Sequence, residues 1–287
     1  MKSITWIAST LLAGASLVSA HGEPDLKHEH AGDVFRKFHG KQCYIDGPAS
    51  NGSSTGVTKS IGGEDLYLAY PKRHHKSSAA ILYLTDIFGV QLVNNRLLAD
   101  ALAKAGYLVV IPDLFRGDPV PANALSDPNS GFNMTAWRAR HPQAQVEEII
   151  ASAINSTRNE LGATKLGAVG YCFGGKYVAR FLAEGKGLDA GFTAHPSNTL
   201  ANEWESIAAP ISIAFGELDA SSTPENRTNI ETIFSEGNKT FQTALYAQAE
   251  HGFAVRTNLT DKRKAFAQES AYLQAVRWFD QWVKDED

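Results

Sequence analysis

The sequence predicts an α/β domain built on a mainly parallel central sheet with helices on both of its faces. Two observations carry this. From Ala79 onward, short apolar runs of strand length alternate with longer segments of helical spacing, and such alternation is the mark of crossover-connected parallel strands. The chain then closes on a long amphipathic helix from Lys262 to Val283, carrying Phe266, Leu273, Val276, Trp278 and Phe279.

The elements follow in order. Lys59 to Ile61, the pair Gly62-Gly63, and Leu66 to Tyr70 have the form of a hairpin. Ala79 to Leu84 reads as a buried strand, Leu92 to Lys104 as a helix stopped by Gly106, and Leu108 to Ile111 as a second buried strand stopped by Pro112. From Gly117 to Pro142 the pattern dissolves among Pro119, Pro121, Pro128 and Gly131, with Phe132 and Trp137 inside it. So long an irregular stretch within a compact domain reads as an inserted cap. Val146 to Leu161 and Lys176 to Ala183 read as helices. Leu166 to Val169, Ala190 to Thr193, Ile211 to Phe215 and Thr240 to Leu245 read as strands. No internal repeat is present.

Composition sets the class. Of 287 residues 43% are hydrophobic and 20% charged, enough to bury a large core and a poor fit to disorder or coiled coil. The formal charge of -4, with both signs interspersed, leaves no basic stripe for a phosphate backbone, which argues against nucleic acid as a partner. Residues 1–20 combine basic Lys2, an apolar run from Ile4 to Leu17 and the small ending Val18-Ser19-Ala20, the form of a secretory signal too short to span a bilayer. Residues 21–54 form a polar N-terminal arm bearing His21, His28, His30 and His39, whose spacing matches no structural zinc pattern, and residues 55–287 form the folded domain. Once the signal is cleaved, no membrane segment is expected, and the protein is expected to be secreted and extracellular. Asn-x-Ser/Thr sequons at Asn51, Asn133, Asn155, Asn226, Asn238 and Asn258 agree with that route.

Only two cysteines are present, Cys43 and Cys172. A bridge between them is one reading, and it would leave no nucleophile. The other reading comes from Gly170-Tyr171-Cys172-Phe173-Gly174-Gly175, set between a strand and a helix. Glycines on both sides let the chain reverse sharply and lift the Cys172 side chain above the sheet edge, where the helix N-terminus favours a thiolate. This is the nucleophile elbow of the α/β-hydrolase fold, in which an acid and then a histidine follow along the chain. Asp219 is the preferred acid, after the strand ending at Phe215, with Glu217 the alternative; His251 in Glu250-His251-Gly252-Phe253 is the base. His195 precedes Asp219, violates that order and is read as a pocket or packing residue. An oxyanion hole needs two backbone donors, and Phe173, after the nucleophile, and Ile87, after the strand ending at Leu84, occupy the required positions.

Through Asp86-Ile-Phe-Gly89, Pro112-Asp-Leu-Phe115, the cysteine elbow, Gly216 to Asp219 and His251-Gly-Phe253, the chain from about Thr55 onward resembles the dienelactone hydrolase family. The resemblance implies hydrolysis of a small lactone or carboxylic ester, such as a cyclic enol ester, through a thioacyl intermediate. It implies neither metal nor organic cofactor. Founding members carry Glu where Asp86 stands, and there the Glu contacts the resting thiol. They also bind a substrate carboxylate with two arginines. Arg116 falls near the first, and Arg256 sits one residue further from the histidine than the second. Asp86, Arg116 and Arg256 are therefore the candidate substrate-binding residues, with ordinary ion pairing the alternative for both arginines. Because a fold alone does not establish turnover, a small-molecule binding protein on the same scaffold is the alternative function.

Overall fold

The computed structural model describes residues 53–72, 78–127 and 129–284. The signal segment, all but the last two residues of the arm, Cys43 and the sequon at Asn51 lie outside the described residues. Strands β1 (Val57–Ile61) and β2 (Glu64–Ala69) form the expected hairpin. Its turn places Gly62 at φ 61 and Gly63 at φ 83; positive φ at both central positions matches the twist of the paired strands and is adopted without steric cost only by glycine. There follow β3 (Ala79–Leu84), α1 (Val93–Lys104), β4 (Leu108–Pro112), α2 (Met134–Arg140), α3 (Gln143–Asn159), β5 (Lys165–Tyr171) and α4 (Phe173–Phe181). The chain continues through β6 (Ala190–Ala194), α5 (Ala201–Glu205), β7 (Ile211–Gly216), α6 (Pro224–Glu236), β8 (Phe241–Tyr246) and α7 (Lys262–Trp282).

The eight strands make one sheet in the order β1-β2-β4-β3-β5-β6-β7-β8. The six strands from β4 to β8 are mutually parallel, and β2 is antiparallel to both of its neighbours. After β3 the chain moves to one side of the sheet, and from β5 it moves to the other. The loops after β3 and β5 therefore diverge, opening a crevice at the strands' C-terminal ends where parallel sheets bind ligands.

Strand alternation divides the core into two layers. Ala80, Leu82, Leu84, Val110, Ile211 and Ile213 face a layer closed by Val146, Ile149 and Ile150 of α3, Val178 of α4 and Phe234 of α6. Ile81, Tyr83, Val109, Ile111, Val169 and Tyr171 face the opposite layer, closed by Leu98 and Leu102 of α1 and by Tyr272, Val276 and Phe279 of α7. Each fully buried large apolar side chain contributes about 1.5–3 kcal/mol relative to exposure, so helices on both faces are required to stabilise both sets.

The structure departs from the sequence reading in the region expected to be irregular. Within the inserted cap, α2 forms a helix: the Asn133 side chain accepts from Ala136 N at 2.9 Å, and buried Trp137 donates through Nε1 to the Asp118 carbonyl at 2.8 Å. Helices α5 and α6 also went unassigned from sequence. At the chain's end, Phe266 is 66% exposed and lies outside the core, whereas Val276 and Phe279 are buried as expected.

Candidate active site

Cys172 sits between β5 and α4 at φ 51 and ψ −110, a conformation that costs a non-glycine residue roughly 1–3 kcal/mol and is held only because the surroundings over-determine it. Three backbone hydrogen bonds do so: Cys172 N donates to Ala194 O at 3.2 Å, while Cys172 O accepts from Gly175 N at 3.1 Å and from Ser197 N at 3.2 Å. The elbow also demands close approach. A Cβ on Gly174 would lie 2.1 Å from the Leu84 carbonyl oxygen, and one on Gly170 would lie 2.6 Å from that of Gly174. Cys172 is a free cysteine, buried but for 8% of its surface.

Three side chains of the sequence reading meet in a line. His251 Nε2 lies 3.0 Å from Cys172 Sγ, and His251 Nδ1 lies 2.9 Å from each carboxylate oxygen of Asp219. Asp219, 3% exposed, also accepts from Ser221 N at 2.8 Å, which fixes the carboxylate behind the ring. Burial opposes a charged imidazole, but the hydrogen bonds and charges of Asp219 and Cys172 outweigh it and push His251 from 6.5 up to about 10. Burial likewise opposes ionisation of Asp219, yet the His251 and Ser221 contacts hold it below its ordinary 3.8. Glu217, the alternative acid, is exposed and accepts from Gln248 N at 2.8 Å, away from the ring.

His195, read from the sequence as a pocket or packing residue, lies against the base, and neither of its ring nitrogens has a hydrogen-bond partner among the described residues. Fully buried, at φ 42, its ring stands edge-on to His251 at 5.2 Å and to Phe253 at 5.6 Å. Burial, then the neighbouring His251 charge, push it down to about 3, so it stays neutral and adds no second charge beside the base. The sequence reading missed Ser197, whose Oγ lies 3.6 Å from Cys172 Sγ; its only signal was the neighbouring Ala194-His195-Pro196.

Ile87 follows β3 and Phe173 opens α4. Neither N–H donates to another described residue. The cap closes over this edge: Phe115 packs against Phe173 at 5.4 Å and against Trp137 at 5.0 Å, and Val120 N ties to Ile87 O at 2.9 Å.

The three candidate substrate-binding residues are placed differently from the triad. Asp86 is fully buried and forms an ion pair with Arg256; it also accepts from Phe88 N and from the Asn95 side-chain amide, each at 3.1 Å. Among the described residues Asp86 makes no contact with the thiol, unlike the longer Glu that the family resemblance places there. Arg116 is half exposed and pairs with Glu64 of the hairpin at 2.8 Å. Among the described residues, no group of three or more His, Cys, Asp or Glu is placed to hold a metal, and no helix is long and apolar enough to cross a membrane.

Between the loops that carry Ser197 and Asp219 lies a cavity of about 360 Å³, lined by none of Cys172, Asp219 and His251. Trp204 and Ile230 are among its apolar lining residues, and Asn198, Ser221, Ser222 and Asn229 are among its polar ones.

Comparison with known proteins agrees with the fold. The dienelactone hydrolase family matches over residues 65–283. The chain is 41% identical to Hydrolase pyvD of Aspergillus violaceofuscus, over 85% of this chain and 97% of that one. It is 32% identical to Dienlactone hydrolase 1 of Gibberella moniliformis, over 85% and 94%. A crystal structure of a putative dienelactone hydrolase from Klebsiella pneumoniae superposes with a TM-score of 0.67 at 20% identity, covering 80% of this chain and all of that one, which speaks to the fold alone. With its α/β-hydrolase sheet and cysteine elbow, this chain belongs to the dienelactone hydrolase family.

Proposed function

We propose that the protein hydrolyses a lactone or small carboxylic ester with Cys172 as nucleophile, His251 as proton carrier and Asp219 as the residue that orients and charges His251. The observation that carries this is the unbroken line from Asp219 through His251 Nδ1 and Nε2 to Cys172 Sγ, with contacts of 2.9 and 3.0 Å. His251, next to the sulfur at the N-terminus of α4, is placed to take the proton of Cys172 as it attacks.

The thiolate attacks the acyl carbon, forming a C–S bond and moving the carbonyl π electrons onto oxygen, where the Ile87 and Phe173 N–H groups stabilise them. The intermediate collapses: the C–O bond breaks, His251 gives its proton to the departing oxygen, and a thioacyl group stays on Cys172. From a lactone, the departing oxygen stays tethered to that acyl group. Water then attacks while His251 takes one of its protons, and breaking the C–S bond returns the thiolate–imidazolium pair and releases the acid. The partner this reading requires is a small-molecule substrate.

Parallel kcat/KM measurements on a dienelactone and a neutral short-chain aryl ester, for wild type and Cys172→Ala, test this reading. Hydrolysis of at least one substrate, lost in the variant, is expected; hydrolysis that survives in Cys172→Ala removes the cysteine mechanism.

We also propose secretion with glycosylation, supported by the form of residues 1–20 and by the exposure of Asn133, Asn155, Asn226, Asn238 and Asn258. Expression in a eukaryotic host should place the protein in the medium with an endoglycosidase-sensitive mass. Retention in the cell without such a shift contradicts it.

A further inference from the structure

We propose that Ser197 is a further catalytic residue: its hydroxyl donates a hydrogen bond to Cys172 Sγ as the C–S bond of the thioacyl intermediate breaks, and so speeds release of the acid. This rests on the hydrolase reading above and deepens it.

The sulfur has two polar neighbours among the described residues. His251 Nε2 stands at 3.0 Å and Ser197 Oγ at 3.6 Å, the latter within hydrogen-bond reach for an atom as large as sulfur. Ser197 is buried, and its hydroxyl has no other hydrogen-bond partner among the described residues. An unpaired hydroxyl is costly to bury, so the sulfur is the partner that satisfies it. Against a thiol either atom can donate. A sulfur carrying negative charge has no proton to give, and the hydroxyl is then the donor.

The loop after β6 is built to hold the hydroxyl there. Ser197 N donates to Cys172 O at 3.2 Å, and His195 N donates to Ala214 O of β7 at 2.9 Å. His195 at φ 42 and Asn198 at φ 54 lie in the left-handed region, as Cys172 does; non-glycine residues persist there only where the surroundings over-determine them, and such residues gather at active sites. Pro196 packs so closely on α4 that a Cβ on Gly175 would lie 2.9 Å from the proline Cβ.

A hydrogen bond to an anion is stronger than one to a neutral atom, so this contact acts where charge gathers on sulfur. In the thioester the sulfur is uncharged. Water adds to the acyl carbon, gives a proton to His251 and leaves negative charge on the carbonyl oxygen. As the C=O bond re-forms, the C–S bond breaks and its electron pair passes to Sγ, where the Ser197 O–H meets it and keeps its own proton. Attack on the substrate moves charge the other way, from sulfur to oxygen, and gains little from the contact.

The test follows both half-reactions with an activated aryl ester, reading acylation from the burst of aryl alcohol and deacylation from the steady rate after it. In Ser197→Ala the steady rate should fall about tenfold, the loss of one hydrogen bond to a charged atom, while the burst rate changes far less. KM should fall with kcat, and acylated Cys172 should accumulate in the intact-mass spectrum. Ser197→Thr and Ser197→Val, alike in shape and different in the hydroxyl, give a second comparison in which Thr should deacylate about ten times faster. An unchanged steady rate in Ser197→Ala, or equal deacylation in the Thr and Val variants, overturns the inference and leaves the hydrolase intact. An equal loss from both half-reactions also overturns it, because that marks a displaced elbow. No acyl group on wild-type Cys172 and no turnover is a distinct result that removes the underlying hydrolase reading.

Discussion

Replacing Asp219 with Asn tests how the site creates its nucleophile. The substitution is nearly isosteric, but it exchanges an anion for a neutral amide 2.9 Å from His251 Nδ1. An amide that turns its NH₂ toward Nδ1 selects the tautomer with the proton on Nε2, the nitrogen facing Cys172 Sγ. That ring cannot accept the thiol's proton. Losing the carboxylate also removes the leading contribution that raises His251 against the opposing effect of burial. A general base in the wrong tautomer forfeits a factor of about 10²–10⁴ in rate, so kcat/KM should fall by that much. Stability should fall by only about 1–3 kcal/mol, the loss of one charge-assisted hydrogen bond in a buried setting. The assay is steady-state hydrolysis together with the pH dependence of Cys172 alkylation, which should slow and shift to higher pH in the variant. Rates within threefold of wild type, with an unchanged alkylation profile, would refute the role given to Asp219.

Other outcomes follow from the same geometry. For wild type, kcat/KM should decline on the alkaline side near pH 10, where His251 loses its proton, and a decline already complete by neutral pH would contradict the assignment. The sign for stability is the same: the folded-state value lies above 6.5, so the contribution of this link is full below about pH 6.5 and is lost as pH rises through about 10, measurable by thermal melts across that window. Gly174→Ala should melt well below wild type and lose activity, because its new methyl would have to occupy space 2.1 Å from the Leu84 carbonyl oxygen; a Tm within a degree of wild type would disprove that packing. Trp137→Ala should cost about 3–5 kcal/mol and raise KM more than it lowers kcat, since it removes a wall of the cap that packs on Phe115 while leaving the triad in place; an unchanged KM would sever the cap from the site.

The strands were legible because each is either a short continuous apolar run or a period-two segment, and β3 begins and ends where Ala79 to Leu84 predicted. The site was legible for a related reason: a nucleophile elbow is a local event, written in adjacent glycines whose Cβ atoms have no room. The choice between Glu217 and Asp219 followed from the position of each beyond β7, and Asp219 is the one that reaches His251. What stayed hidden was short or distant. Helix α5 has five residues, too few for a period, and α6 buries only Ile230 and Phe234, although Thr223-Pro224 did mark its start with a cap and a first-turn proline. Helix α2 was obscured by the glycine and prolines around it. The pairing of Asp86 with Arg256 joins positions 170 residues apart, and nothing in either local pattern announces it.

The most direct test of the account is to mix the wild-type enzyme with an excess of an activated ester, quench in acid within the first turnovers and weigh the intact protein. The account predicts a mass increase equal to one acyl group, mapping to the peptide that contains Cys172 and absent from Cys172→Ala. Acylation at another residue, or continued turnover by Cys172→Ala with no adduct, would contradict it.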